Sequence, residues 1–173
     1  MKRISVALIA IVALGSLAFL GTGCAGYRLG SMLPADIKSV YVPSFVNETS
    51  EPLIEAECQR AVIEALQRDG SLKLANEDEA DAVLRVRLRE YRLEPVVFDA
   101  RDRSNVRQYR IKLSAAMVMS RQTTGEVIVE RPSVRGEGVF NVTGDLSSSK
   151  LTGLPVAAAD LARNIVQQMV EAW

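Results

Sequence analysis

The chain has 173 residues, 21 basic and 21 acidic side chains, and no histidine. Balanced charge argues against a general polyanion binder or a nucleic-acid binder. The absence of histidine removes the commonest general base and most zinc sites. The composition therefore disfavours an enzyme, and we predict no catalytic residue, no cofactor and no metal site.

The first 23 residues have the pattern of a cleaved signal peptide. Lys2 and Arg3 form a basic start, residues 4–20 carry no charge, and residues 21–23 are the small sequence Gly-Thr-Gly, directly before Cys24. This order is typical of an export signal, so the segment 1–23 is predicted to be removed.

Cys24 is the predicted site of lipid attachment. The residues before it resemble the Leu-Ala-Gly-Cys site of lipoprotein signal peptidases, although Gly21 stands where leucine is usual. Several acyl chains on one cysteine hold a protein stably at a membrane. In such lipoproteins an aspartate after the cysteine favours the inner membrane, so Ala25 favours the outer membrane, facing the periplasm. The alternative is ordinary secretion, with Cys24 as a free thiol.

Removal of the signal peptide leaves 19 basic and 21 acidic residues in a chain of a length that suits one domain. If Cys24 carries lipid, Cys58 has no intramolecular disulfide partner and is predicted to be a buried small hydrophobic residue. Residues 24–36 lack periodicity and contain Gly and Pro. They are predicted to be a lipidated N-terminus and tether, ending in a turn, ahead of a single domain at residues 37–173.

Three segments after the tether have secondary-structure patterns. Residues 38–46 alternate and predict a strand that reaches a sheet edge, or ends, near Pro43. From Ser50 the apolar residues recur at the helical period, which predicts a helix with Ser50 as its N-cap and Gly70 just after its end. Residues 72–74 could add a short strand.

The clearest strand pattern spans residues 82–93. Its core face is predicted to carry Leu84, Val86 and Leu88, and its solvent face to carry Val83, Arg85, Arg87, Arg89 and Tyr91. Residues 94–105 are predicted to be a long hairpin connection. Residues 107–120 and 126–140 predict two long strands joined by a turn that contains Gly125.

Residues 141–153 are polar and rich in Gly and Ser, which predicts a linker or mobile loop before a helix that starts at about Pro155. Two amphipathic helices, one before and one after a set of alternating strands, can cover the same face of an open sheet. We therefore predict an α+β fold: a two-layer sandwich of about four mixed or antiparallel strands, with two helices packed on one face.

Two patterns bear on chemistry. Ser147 and Lys150 match the S-x-x-K pattern of serine acyl enzymes, but they lie in a predicted loop and the partner motifs do not follow, so we set the match aside. Basic residues concentrate between residues 85 and 112. Because arginine binds phosphate and carboxylate bidentately, an anionic lipid or glycolipid is the expected ligand class. Charge and loop position select the candidate ligand-binding residues, which are Arg92, Arg101, Arg103 and Arg107.

Three motifs, in this order, resemble the lipopolysaccharide-assembly lipoprotein family LptE. Residues 24–29 (CAGYRL) are similar to the family's C-G-Y-x-L start, residues 40–49 contain V-Y-V-P-x-F-x-N-x-T, and residues 80–84 (ADAVL) are similar to an A-D-x-x-L strand start. The long hairpin strands and the terminal helix follow in the family's order. The second motif also resembles the start of other periplasmic assembly proteins.

The resemblance implies a non-enzymatic outer-membrane lipoprotein of lipopolysaccharide transport. Members of the family insert as a plug into the lumen of the β-barrel translocon LptD, help the barrel to fold, and take part in delivering lipopolysaccharide to the cell surface. The implied partners are therefore an LptD-like barrel, lipopolysaccharide, and the membrane through the lipid on Cys24. The alternative is a periplasmic scaffold or binding lipoprotein of another secretion or assembly system, outside any barrel.

Overall fold

The computed structural model describes residues 33–100 and 105–170. In chain order the strands and helices are β1 (Ser39–Tyr41), β2 (Val46–Asn47), α1 (Ile54–Asp69), β3 (Lys73–Leu74), β4 (Ala82–Phe98), β5 (Val106–Arg121), β6 (Val127–Asn141) and α2 (Leu146–Val170). The predicted signal peptide, Cys24 and most of the predicted tether lie outside the described residues.

The strands form one mixed sheet in the order β3-β1-β4-β5-β6, and β2 also pairs with β4. β5 pairs antiparallel with both β4 and β6. β1 pairs in parallel with β3 and β4, and β2 pairs in parallel with β4. The sequence predicted about four strands, but the sheet has six. One reason is that residues 38–46 do not form one strand: Pro43, which has no amide hydrogen to donate, lies between β1 and β2.

Both helices pack on the same face of the sheet, which confirms the predicted two-layer α+β fold. The inward residues of β4 are Leu84, Val86 and Leu88, and each is at most 2 % exposed. Burial of a large aliphatic side chain contributes about 1.5–3 kcal/mol. Cys58 of α1 is fully buried in the same core, which confirms its prediction as a small hydrophobic residue.

Helix α2 lies close to β6 because two glycines leave room for its backbone. A Cβ on Gly136 would lie 2.5 Å from the Cα of Leu161, and a Cβ on Gly138 would lie 2.5 Å from the nitrogen of Ala157. Both distances are far shorter than a van der Waals contact. Any side chain at either position would therefore push the helix away from the sheet.

Helix α1 begins after Leu53, and the prediction of Ser50 as its N-cap was wrong. Leu53 adopts the left-handed conformation (φ 64°) and makes no side-chain cap bond. The turn before the helix is held by Asn47, whose side-chain nitrogen donates to the Glu51 carbonyl oxygen and to the Glu55 carboxylate, both at 2.9 Å. At the other end, the chain leaves the helix through a left-handed glycine, as predicted.

Helix α2 covers most of the segment that the sequence predicted as a linker. Its N-terminus is capped by Asp145, whose carboxylate accepts a hydrogen bond from the Ser148 N–H at 2.9 Å, and this bond lowers the pKa of Asp145. Gly153 contributed to the prediction of a loop. In the structure it lies within the helix, where a glycine is needed because a Cβ would lie 2.6 Å from Cγ of Phe140. Pro155 lies inside the helix and does not mark its start.

β4 and β5 continue to pair beyond the helix layer. Residues 94–98, predicted as a connection, belong to β4, and Phe98 pairs with Val106. Residues 95–98 of β4 are all exposed, so this part of the ribbon has no core of its own. We refer to residues 94–108 as the hairpin tip.

The opposite end of the sheet is its base, where residues 33–36 join the domain. The Ile37 N–H donates to the Pro34 carbonyl at 2.9 Å, which forms the predicted turn. Asp36 forms an ion pair with Arg121, the last residue of β5, and this contact lowers the pKa of Asp36. The end of the predicted tether is therefore attached to the base of the sheet.

Candidate functional site

The face of the sheet without helices carries most of the basic side chains of the two longest strands. β5 buries its odd-numbered residues from Ile111 to Met119 on the core side, so its even-numbered residues face away from the helices. β5 carries four basic residues and no acidic residue, and β4 carries four arginines and two glutamates. We call this basic surface the helix-free face.

A β-bulge at Arg89 decides which residues of β4 reach this face. The pairs on either side are Leu88 with Ala115 and Glu90 with Ser114. Arg89 has no partner on β5, so it and Glu90 are both exposed, and Arg89 lies 2.5 Å from Glu48. Tyr91 consequently packs against the core, and the prediction that it faces solvent with the arginines was wrong.

Arg92 lies on the helix-free face beside several carboxylates. It forms an ion pair with Glu90, and the Lys112 ammonium lies 2.8 Å from Glu94 and lowers the pKa of the Glu94 carboxyl group. A groove of about 610 Å³ begins here and is lined by Glu90, Arg92, Lys112, Leu113, Ser114, Arg135, Gly136, Glu137, Asp160 and Asn164. Because its basic and acidic side chains are equal in number, charge alone does not make it an anion site.

Sequence reasoning missed the far wall of this groove, which comes from β6 and α2. The Glu137 N–H donates to the Asp160 carboxylate at 2.9 Å, and the Asn164 side chain donates to the Arg135 carbonyl at 2.8 Å. These two helix side chains cover part of the outer edge of β6. The strand pattern predicted β6, but no single-sequence pattern relates its register to a helix residue more than 20 positions away.

Arg107 lies at the hairpin tip, five positions along β5 from Lys112, the residue that pairs with Arg92. The register of β4 against β5 shifts at Arg107, which has no partner on β4 because Gln108 pairs with Val97 and Val106 pairs with Phe98. The Arg107 guanidinium lies 3.7 Å from Asp99 and is largely exposed. Arg92 and Arg107 are therefore not in contact with each other in the structure. Arg101 and Arg103 lie outside the described residues.

The hairpin tip combines cationic and apolar groups in contact with solvent. A pocket of about 460 Å³ is lined by Val97, Arg107, Gln108, Asn141 and Val142. Next to it, Val96, Val97 and Phe98 are 39 %, 44 % and 48 % exposed. Apolar side chains clustered outside the core mark a surface that meets a partner or ligand.

The S-x-x-K match lies in the first turn of α2, so one of our two reasons for setting it aside, its position in a loop, was wrong. Lys150 Nζ lies 2.5 Å from Glu51 and 5.7 Å from the centre of the Tyr91 ring. An ammonium group has no lone pair with which to take a proton from Ser147. Burial, with a contribution from Glu51, raises the pKa of Tyr91 to about 12.

Within residues 33–100 and 105–170, no three His, Cys, Asp or Glu side chains are grouped so that they could hold a metal ion. Neither helix of this described part is long and apolar enough to span a membrane.

A family model for lipopolysaccharide assembly, LptE, matches residues 37–172. The chain belongs to this family. The LptE match includes all eight strands and helices of the fold, and it begins after Cys24. No curated protein matches the chain.

Solved structures share the fold of this LptE-family chain at low sequence identity. A protein from Xanthomonas campestris is 8 % identical with a TM-score of 0.56, over 84 % of this chain and 92 % of that one. A hypothetical protein from Chlamydia trachomatis is 14 % identical with a TM-score of 0.52, over 79 % and 99 %. A minor lipoprotein from Acinetobacter baumannii is 14 % identical with a TM-score of 0.50, over 79 % and 94 %. These likenesses show the fold alone.

Proposed function

We propose that this LptE-family chain is an outer-membrane lipoprotein of the lipopolysaccharide export machinery. In this role it is the plug and assembly partner of an LptD β-barrel translocon, faces the periplasm, and also binds lipopolysaccharide. The observation that carries the proposal is the family match over residues 37–172. The chain acts by binding rather than by catalysis, and it requires no cofactor.

The anchoring step of the proposal concerns residues 1–36. The signal peptide 1–23 is removed and Cys24 is acylated, which leaves residues 24–32 between the lipid and the domain. Nine residues span at most about 30 Å when extended, so the base of the sheet stays within that distance of the membrane surface. The mass of the mature N-terminal peptide tests this step. An unmodified Cys24, or an intact signal peptide, would remove the anchor from the proposal.

Extraction of the tagged full-length protein in a mild detergent tests the barrel partnership. We expect an LptD barrel, identified by mass spectrometry, to purify with it in equal amounts. If the lipoprotein is recovered in its acylated form but without the barrel, the alternative of a free periplasmic scaffold or binding lipoprotein replaces the plug.

Lipopolysaccharide binding is proposed for the projecting end of the ribbon, with Arg92, Arg101, Arg103 and Arg107 as its basic residues. Lipopolysaccharide carries phosphates and acyl chains together. The hairpin tip offers the matching pair of chemistries, because the exposed Arg107 guanidinium lies beside the pocket that contains Val97. Arginine is well suited to phosphate because its planar donors bind two oxygens at once.

Glutamate substitutions test the lipopolysaccharide proposal. Arg107→Glu should weaken lipopolysaccharide binding about tenfold or more, the effect of losing one charge-assisted contact. Arg92→Glu, outside the pocket at the tip and next to Glu90, should have a smaller effect. The matched control is Arg68→Glu on α1, a similarly exposed arginine far from the tip in the sequence. Equal affinity in Arg107→Glu and the control would remove Arg107 from the site.

A further inference from the structure

A second surface on the helix-free face lies towards the base of the sheet, away from the hairpin tip. Cross-strand pairing places Val46 beside Arg87, Arg85 beside Val118, and Ser120 beside Val127. Tyr41 pairs with Val83 at the lower edge of the same surface. We call this surface the basal patch, and it consists of Tyr41, Val46, Arg85, Arg87, Val118 and Val127.

The two arginines of the basal patch lack the carboxylate partners that Arg92, Arg110 and Lys112 of this face have. Arg85 donates to the Ser120 hydroxyl at 3.2 Å. Neither Arg85 nor Arg87 forms an ion pair with a described carboxylate, although Glu130 pairs with Val118 on the same face. The patch therefore presents two positive charges that no described carboxylate neutralises through an ion pair.

The floor of the basal patch is already closed. Val83, Ala116 and Ser120 are 3 %, 9 % and 6 % exposed although no helix covers this face. The aliphatic parts of the arginine side chains account for this low exposure, since a guanidinium that reaches from β4 to Ser120 must lie across the sheet. A surface whose floor is filled by its own side chains fits another protein surface better than it fits a small ligand.

Apolar side chains flank the arginines of the patch. Val46 is 52 % exposed and Val127 is 54 % exposed, at opposite edges of the surface. Arginine and tyrosine are enriched at the energetic centre of protein interfaces. The filled floor and the composition of the patch therefore favour a protein partner with carboxylates.

We propose that the basal patch docks on an acidic surface of the barrel partner, through Arg85 and Arg87. This inference rests on the proposed function, since it names the part of the plug that contacts the barrel. It assigns the two ends of one sheet to different partners: the hairpin tip to lipopolysaccharide, and the base of the helix-free face to protein.

The test uses the full-length tagged lipoprotein co-expressed with the LptD barrel and extracted in mild detergent. Arg85→Glu/Arg87→Glu should reduce the amount of co-purified barrel about tenfold, and the remaining complex should dissociate at lower salt than the wild type. Arg85→Lys/Arg87→Lys keeps the charge but loses the planar donors, so its effect should be intermediate. Arg68→Glu on the helix layer is the matched control and should capture the barrel normally.

Each outcome separates the inference from the proposed function. If the wild type captures no barrel, the plug function itself fails. If the wild type and Arg85→Glu/Arg87→Glu capture equal amounts of barrel, only the docking surface is wrong. If the double variant loses lipopolysaccharide affinity while barrel capture is unchanged, the patch is a lipid site and the inference is overturned. Should the glutamate variant unfold by circular dichroism, Arg85→Gln/Arg87→Gln replaces it with the same expected direction.

Discussion

Asp81 joins the first and fourth strands of the sheet through a single carboxylate oxygen. That oxygen accepts hydrogen bonds from the Lys38 N–H at 2.9 Å, the Ser39 N–H at 2.9 Å and the Ser39 hydroxyl at 2.8 Å. The Lys38 bond is the main reason that the pKa of Asp81 lies below its ordinary value. The Ala-Asp motif that resembled the family's strand start therefore has a structural role in this chain.

Asp81→Asn should destabilise the domain by roughly 1 kcal/mol at pH 7, because a neutral amide replaces a charged acceptor. Because the pKa of Asp81 is lower in the folded state, its charged form stabilises the fold at pH values above the unfolded pKa of about 3.9. This stabilisation is lost as the pH falls through the lower pKa of the folded state. The difference between variant and wild type in urea unfolding should therefore shrink below about pH 4. Asp78→Asn, in the same connection, is the control. A difference that stays constant with pH would contradict this account of Asp81.

The Cys58 thiol gives a second test at the same scale. Burial raises its pKa to about 12, and its side chain is inaccessible in the native state. We expect no reaction with Ellman's reagent at pH 8 in buffer, and full reaction in denaturant, so that the labelling rate follows global unfolding. Rapid labelling of the native protein, with Cys24 replaced by Ser to remove the other thiol, would show that α1 opens locally.

At the level of elements, the contact between α2 and β6 depends on the absence of a side chain. Gly136→Ala places a methyl group 2.5 Å from the Leu161 backbone. Because backbone cannot rotate away as a side chain can, the variant should lose about 2–3 kcal/mol of unfolding free energy in urea titrations. Val139→Ala, an exposed change on the same strand, should cost less than about 0.5 kcal/mol. Similar losses in both variants would mean that the helix tolerates a wider spacing.

Elements with regular apolar periodicity were predictable from the sequence, and elements defined by tertiary contacts were not. Alternation predicted β5, β6 and the lower half of β4, and the helical period predicted α1. The first turns of α2 escaped prediction because Gly153 resembles a loop residue until the Phe140 ring is placed against it. The start of α1 escaped prediction because its support comes from Asn47, which precedes the helix by seven positions.

The candidate site was predictable only as a charge pattern. The sequence located the basic segment between residues 85 and 112. It could not show that Arg92 and Arg107 lie apart, since that depends on the register of β4 against β5, in which Arg92 pairs with Lys112 and Arg107 has no partner on β4. Nor could it separate Arg85 and Arg87 from the ion-paired residues, because carboxylates such as Glu48 and Glu137 lie far from their partners in the chain.

For the whole molecule, the sheet is long relative to its core. β5 has 16 residues, which corresponds to about 50 Å between the tip and the base. The tether joins at the base, where Asp36 contacts Arg121. The point where the tether joins the domain and the proposed lipopolysaccharide site are therefore at opposite ends of the sheet, and the length of the sheet sets how far the tip reaches from the point of attachment.

Shortening the hairpin should separate binding from stability. Replacement of residues 96–108 by Gly-Asn-Gly removes most of the tip and no described buried side chain, so the unfolding free energy should change by less than about 1 kcal/mol. Lipopolysaccharide binding should be lost, while barrel capture through the basal patch should remain. A large loss of stability would show that the tip is part of the folded core, and retained lipopolysaccharide binding would place that site elsewhere.

The bulge at Arg89 also determines how β4 responds to a change of length. Arg89 is the extra residue between two segments, 82–88 and 90–95, that each alternate regularly, since Leu88 faces the core before it and Tyr91 faces the core after it. Deletion of Arg89 would leave the side chains of both segments on the faces that they now occupy. Deletion of a residue two positions away would instead move every later side chain to the opposite face of the sheet. Relatives that are one residue shorter in this strand can therefore keep the same surface at both ends, provided that the gap in the alignment falls at this position.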